Sequence, residues 1–215
     1  MTTGGEKAVL IVVAGGSGAR FGGDKLMVPL RGKPVFVHTL ERLAPAAKRT
    51  VLVVPAGREA EFERAAAKYL PGVDLAVTAG GASRSESVAR GVEAAKLAPG
   101  ELAAIHDAAR PLAAPELLRE LCRKAREVGG AVPGFPQTDA QKRTDANGLI
   151  LDDLPRENVW NVGTPRSFGA NSSSAPAPTV TPAASTTPKP SAASAARSPS
   201  SRPTGRTPNS PFQPT

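Results

Sequence analysis

Apolar positions along the chain fall into short continuous runs, separated by segments in which they recur at helical spacing. Ala8 to Val13 (AVLIVV) is apolar and β-branched, which predicts a strand buried on both faces. Lys33 to Leu43 (KPVFVHTLERL) has helical spacing with Pro34 near its start, where proline is tolerated. Thr50 to Val54 predicts a second strand, and Glu59 to Tyr69 an amphipathic helix closed by Pro71-Gly72. Leu75 to Thr78 is a short third strand. Gly80 to Val88 (GGASRSESV) then opens another helix, with Ser83 or Ser85 as its cap. Leu102 to Ile105 predicts a strand, Glu116 to Glu127 a helix stopped by Gly129-Gly130, and Ala131-Val132 the start of a further strand. Gln137 to Leu151 is polar around Asn147-Gly148, a hairpin signal, and Val159 to Val162 is a last short strand.

Strands alternating with helices predict an α/β fold: a mostly parallel sheet with helices on both faces, three layers in all. Such sheets bind ligands beyond the carboxyl ends of their strands. Three unusual loops fall at such ends, at Gly15, Gly80 and Asp107.

Composition changes sharply at Gly169. The last 47 residues hold 10 Pro, 10 Ser, 9 Ala and 7 Thr, and almost nothing bulky. Such a segment cannot bury enough apolar surface to offset its ordering entropy, so residues 169–215 are expected to be a disordered tail. The tail also explains part of the net charge of +8. It carries Lys189, Arg197, Arg202 and Arg206 and no acid, leaving 23 basic against 19 acidic residues in the body. A mildly basic body suits an anionic substrate. No aromatics are interleaved with the tail's cations, which argues against nucleic-acid binding. Cys122, the one cysteine, excludes a disulfide framework and falls in a helical pattern as a core residue. No apolar run approaches the roughly 20 residues that span a bilayer. With no signal-peptide pattern at the start, the body reads as cytoplasmic.

The first loop carries the most chemistry. Ala14-Gly15-Gly16-Ser17-Gly18 lets backbone approach a ligand closely, and Arg20 and Lys25 follow within reach. The spacing is neither that of the P-loop nor that of the dinucleotide fingerprint. Such a loop can cradle phosphates; the alternative is a Gly-rich turn with two solvated cations. Asp107, at a strand end, can supply the single carboxylate that Mg²⁺–triphosphate needs, since Mg²⁺ keeps waters and takes its other ligands from phosphates. The alternative is a turn aspartate. Arg110 could pair with a substrate phosphate or form a surface salt bridge. His38 has no second metal-type ligand spaced with it, and two histidines support no hydrolytic triad.

Three blocks, AGGSGARFGGDK, GGASRSESV and IHDAARP, together resemble the 2-C-methyl-D-erythritol 4-phosphate cytidylyltransferase family over about residues 8–168. The ribitol 5-phosphate cytidylyltransferases share much of the pattern. A CTP-binding remnant without catalysis is a further alternative. The resemblance implies a Rossmann-like nucleotidyltransferase sheet and a Mg²⁺-dependent reaction. In that reaction a sugar-alcohol phosphate attacks CTP and expels pyrophosphate, a step of non-mevalonate isoprenoid synthesis. It implies that Ala14, Gly15, Gly16 and Lys25 line the CTP phosphates, and that Arg20 and Lys25 stabilise the transition state. Gly80, Arg84 and Ser87 would hold cytosine and ribose. Asp107 would bind Mg²⁺, and Arg110 and Arg156 would meet the acceptor phosphate. Thr164 matches a threonine followed by proline beside the substrate. The hairpin from Thr138 to Leu151, with Asp139, matches an arm exchanged between subunits of a homodimer. Asp139 is followed by Ala140 rather than threonine, Arg166 stands where the family has glutamine, and the quoted resemblance stops at Phe168. Impaired catalysis is therefore expected, the tail being either a shifted reading frame or a genuine extension.

Overall fold

The computed structural model describes residues 7–14 and 24–169, and the backbone of residues 179–182. Its elements run β1 (Val9–Val13), β2 (Pro29–Leu30), β3 (Lys33–Pro34), α1 (Val35–Leu43), a 3₁₀ turn (Ala44–Ala46), β4 (Arg49–Val54), α2 (Glu59–Tyr69), β5 (Leu75–Ala79) and α3 (Arg84–Ala95). They continue with β6 (Leu102–Asp107), α4 (Pro115–Val128), β7 (Gly130–Pro136), β8 (Gln141–Thr144), β9 (Ile150–Leu154), β10 (Trp160–Val162), β11 (Arg166–Gly169) and β12 (Thr179–Pro182).

The main sheet has the order β10-β7-β11-β6-β1-β4-β5, with β12 also paired to β7. The strands β5, β4, β1 and β6 are parallel, while β11 runs antiparallel between β6 and β7. The first strand lies at the centre because it is apolar on both sides. Leu10 and Val12 pack into the layer holding Phe36, Leu40, Phe62, Leu118 and Leu121 of α1, α2 and α4. Val9, Ile11 and Val13 face α3 through Val88, Ala94 and Ala95. The three-layer α/β expectation holds.

A glycine sets how closely α3 lies on the sheet. A Cβ on Gly91 would stand 2.6 Å from Ile11 Cγ2 and 2.7 Å from Val53 Cγ2, closer than any real contact. Only glycine lets the helix backbone reach β1 and β4 here.

Several boundaries differ from the sequence reading. Lys33–Pro34 belongs to a small hairpin with Pro29–Leu30, turning through Arg31 and Gly32 at positive φ, and α1 begins at Val35. The predicted hairpin exists, but its strands are Gln141–Thr144 and Ile150–Leu154. Asp145 Oδ1 accepts from Asn147 N–H and Leu149 N–H, and this Asx turn fixes where it reverses. The strand β7 extends to Pro136. Within the stretch read as a disordered tail, Thr179–Pro182 pairs in parallel with Ala131–Gly134. Two β-branched threonines and a valine there suit strand pairing. The rest of that tail lies outside the described residues. Among the described residues, no helix is long and apolar enough to cross a membrane.

Candidate active site

The carboxyl ends of β1, β4, β5 and β6 lie side by side, because their ladders are parallel and in register. Val13 pairs with Val53 on one side and Asp107 on the other. Past the ladder, Ala14 N–H donates to Val53 C=O at 2.7 Å and Ala108 N–H to Val13 C=O at 3.0 Å. Gly80 N–H donates to Val54 C=O at 2.6 Å. Three of the loops singled out in the sequence thus leave one edge of the sheet.

Asp107 is where two of them meet. Its Oδ1 accepts from Arg84 Nη2 at 2.9 Å and its Oδ2 from Arg110 Nε at 3.0 Å. Burial pushes this carboxyl up, but the hydrogen bond and charge of Arg84, with those of Arg110, outweigh it and hold it below its ordinary value. The result is a half-buried, ionised carboxylate between two exposed arginines. Its donor chemistry fits a Mg²⁺ that takes one carboxylate and fills the rest of its shell with phosphate oxygens and water. Arg110 forms the surface salt bridge that was the alternative reading of it.

The loop that supplies Arg84 is built for close packing. Ser83 Oγ caps α3 by accepting from Glu86 N–H at 3.1 Å, and the Glu86 carboxylate accepts from Ala82 N–H at 2.7 Å, a reciprocal capping arrangement. Ser87 is buried. Its Oγ accepts from Gly81 N–H at 3.1 Å and donates to Ser83 C=O at 2.9 Å. A Cβ on Gly80 would lie 2.8 Å from that Oγ. Ser87 thus shapes the loop from within, while Gly80 leaves room for it. Arg90 Nη1 donates to Gly80 C=O at 2.7 Å and braces the same turn, a role the sequence did not suggest.

Of the first loop, Gly15, Gly16 and Arg20 lie outside the described residues; Ala14 and Lys25 flank them. Ala14 is buried and Lys25 exposed. The far end is anchored by Asp24, whose Oδ1 accepts from Leu26 N–H at 3.1 Å and whose Oδ2 lies 2.5 Å from Arg58 Nη2. Arg58 also pairs with Glu61 and lies 5.2 Å over the Phe62 ring, so α2 fixes the residue next to Lys25.

Thr164 is buried and precedes a cis-proline, and among the described residues its Oγ1 has no hydrogen-bond partner. Arg166 pairs with Ile105 in the antiparallel β11–β6 ladder, so Thr164 comes to the sheet end that carries Asp107. Arg156 and Asp139 make contacts of their own. Arg156 Nη1 donates to Thr138 C=O at 3.0 Å, and Asp139 C=O accepts from Gln137 Nε2 at 2.9 Å, both at the foot of the β8–β9 arm. Among the described residues, no hydrogen bond or ion pair joins either side chain to Asp107.

Residues 8–194 match the family model described as 2-C-methyl-D-erythritol 4-phosphate cytidylyltransferase, past the Phe168 at which the resemblance was expected to stop. A protein of that name from Cereibacter sphaeroides is 39% identical over 165 residues, covering 74% of this chain and 71% of the relative. One from Symbiobacterium thermophilum is 35% identical over 164 residues, covering 75% of this chain and 68% of its own. The crystal structure of the Thermus thermophilus enzyme is 29% identical, with a TM-score of 0.58, covering 77% of this chain and 71% of that one. The Francisella tularensis structure, at 20% identity and a TM-score of 0.63, shares the fold. The chain therefore belongs to the 2-C-methyl-D-erythritol 4-phosphate cytidylyltransferase family.

Proposed function

We propose that the chain joins CTP and 2-C-methyl-D-erythritol 4-phosphate into a CDP-linked alditol with release of pyrophosphate, working in the cytoplasm. The observation that carries the reading is the Arg84–Asp107–Arg110 cluster at the strand ends, beside the start of the Gly-rich loop. The acceptor's phosphate oxygen forms a bond to the α-phosphorus of CTP as the bond to the bridging oxygen of pyrophosphate breaks. That oxygen is already anionic, so no general base is required, and catalysis reduces to alignment and charge neutralisation. Ala14, Gly15 and Gly16 offer backbone to the phosphates. Arg20 and Lys25 neutralise charge developing at the α-phosphate and on pyrophosphate. Gly80 and Arg84, on the loop that Ser87 shapes, hold the base and ribose. Asp107 holds Mg²⁺, which when bound offsets triphosphate charge. Arg110 and Thr164 face the acceptor.

Arg156 and Asp139 act on the acceptor from the arm, in the site of a second subunit. Among the described residues their hydrogen bonds stay within the arm's foot, and none reaches Asp107, in keeping with this. The arm's apolar tip, where Leu149, Ile150 and Leu151 are 67%, 59% and 59% exposed, supports it. The chain is then a homodimer.

Pyrophosphate release from CTP with 2-C-methyl-D-erythritol 4-phosphate, compared with ribitol 5-phosphate, tests the reading. Turnover restricted to the methylerythritol substrate is expected, at a rate impaired by the altered stretch after Phe168. Preference for ribitol 5-phosphate would move the chain to the rival acceptor, and CTP binding without pyrophosphate release in either case would leave it a binding protein.

A further inference from the structure

The turn that carries Asp107 and Arg110 is held by a helix with no residue in the site. Ala108 is fixed at both backbone groups. Its N–H donates to Val13 C=O at 3.0 Å, and its C=O accepts from Thr39 Oγ1 at 2.7 Å. Thr39 is fully buried on α1, 69 residues away in sequence. A threonine in a helix ordinarily turns its hydroxyl back to its own preceding turn or to water. Here it is directed across the core at one carbonyl. One helical turn on, Arg42 Nε donates to Ala113 C=O at 2.9 Å. Arg110 N–H donates to Asp107 C=O, and Arg110 C=O lies 3.1 Å from His106 Nε2. The carbonyls of residues 107, 108, 110 and 113 thus each have a fixed partner.

We infer that Thr39, seconded by Arg42, is a positioning residue for the Asp107–Arg110 turn. Through the Ala108 carbonyl it sets the angle at which the Asp107 carboxylate meets the nucleotide-bound Mg²⁺. The inference rests on the reading of Asp107 as the metal carboxylate. Packing alone does not account for a hydroxyl at this place: valine has the same shape and would bury without a polar atom. A hydroxyl there earns its place through the one hydrogen bond it makes.

The test is CTP binding by the full chain, measured calorimetrically at a series of Mg²⁺ concentrations, with the melting temperature recorded for each variant. Thr39→Val is expected to raise the Mg²⁺ concentration for half-maximal CTP binding about tenfold, as removal of an outer-shell partner typically does. Binding at saturating Mg²⁺ should be retained, and Thr39→Ser, which keeps the hydroxyl, should restore the wild-type midpoint. Arg42→Ala removes only the surface anchor and serves should Thr39→Val not fold; it should shift the midpoint in the same direction by a few-fold. An unchanged midpoint in the folded variants overturns the inference. So does an equal loss of binding at every Mg²⁺ concentration, which marks structural damage. Asp107→Asn separates the two levels. If it leaves the midpoint unchanged, the metal reading falls and the inference with it. If it shifts the midpoint while Thr39→Val does not, only the positioning role falls.

Discussion

Arg84 reaches across from the start of α3 to place its Nη2 2.9 Å from Asp107 Oδ1, joining two loops that lie 23 residues apart. One loop carries the residues read as holding the base, the other the carboxylate read as holding the metal. Arg84 thus links the two. A guanidinium contact to the bound nucleotide is a charge-assisted bond of about 1.5–3 kcal/mol in the complex, whereas the solvent-exposed Arg84–Asp107 pair adds little to folding. Arg84→Ala is expected to weaken CTP–Mg²⁺ binding by roughly 10-fold or more at an unchanged melting temperature, because the side chain is exposed. Titration calorimetry checks it, and Arg84→Lys, which cannot reproduce the planar fork, should recover only part of the loss.

Gly91 gives a prediction in the opposite direction, on stability rather than binding. Alanine there gains about 1 kcal/mol of helix propensity. Its Cβ, however, would meet Ile11 Cγ2 and Val53 Cγ2 at 2.6 and 2.7 Å, both β-branched side chains in the middle of the sheet. Overpacking of this type costs about 1–3 kcal/mol, so the clash outweighs the propensity. Gly91→Ala should lower the urea midpoint, and Gly91→Val should lower it further. Since α3 must move away from the sheet and carries Arg84 with it, CTP binding should weaken in parallel. A glycine replacement that raises stability would show that α3 does not sit where described.

How much of this was legible beforehand follows the physics of each element. The central strand was plain in Ala8 to Val13 because burial on both faces leaves a continuous apolar run. The cap at Ser83 was legible because the Ser-x-x-Glu spacing to Glu86 is local. The roles of Thr39 and Arg58 were not. Each acts through a partner distant in sequence, Ala108 for one and Asp24 for the other, and no local pattern encodes a tertiary hydrogen bond. A weak signal did exist: Thr39 falls on the apolar stripe of α1 beside Phe36, Leu40 and Leu43, a strange place for a hydroxyl. Gly91, a glycine in mid-helix, was a similar unused signal. The strand Arg166–Gly169 was missed because it is short and its polar Ser167 is fully buried, against the usual pattern.

Acid should weaken the opposite end of the sheet. Glu101, just before β6, accepts from Arg49 Nη1 and Nη2, from Lys48 Nζ and from Ala98 N–H. The Arg49 hydrogen bond, then Lys48 and the Ala98 N–H, hold its carboxyl well below the usual carboxylate range. A carboxylate with a depressed folded pKa stabilises the fold above its unfolded pKa, and that contribution fades as pH falls. The melting temperature of the wild type should therefore exceed that of Glu101→Gln at pH 7, and the gap should narrow progressively below about pH 4.5. A gap that stays constant down to pH 3 would mean the network contributes nothing through charge.

Lys25 is exposed, and its neighbour Asp24 is held independently by Arg58. Lys25→Ala should leave the fold and the melting temperature unchanged while removing pyrophosphate release. Losing a cation that meets the transition state costs rate without a compensating change in folding. Retention of most turnover in this variant would remove the first loop from the chemistry.

The last expectation concerns the two halves of the site. The nucleotide half, from Ala14 to Asp107, is tied into the sheet by hydrogen bonds to Val53, Val54 and Val13. The proposed acceptor residues Arg156 and Asp139 lie at the foot of an exposed two-stranded arm, where their hydrogen bonds among the described residues are local. If the arm completes a second subunit's site, CTP binding and transfer should respond differently to dissociation and to mutation. Arg156→Ala should retain CTP affinity and lose transfer, since misplacing a reacting group by about 1 Å costs on the order of a hundredfold in rate. Leu149→Asp/Ile150→Asp, which puts charge on the arm tip, should give a monomer in sedimentation with the same phenotype. The decisive measurement mixes two inactive variants, Asp107→Asn and Arg156→Ala. In a homodimer with exchanged arms, one of the two sites in a mixed dimer has both its Asp107 and its Arg156 intact, so mixing should recover activity. Mixtures no more active than their components, at concentrations where dimers form, would place Arg156 in the site of its own chain.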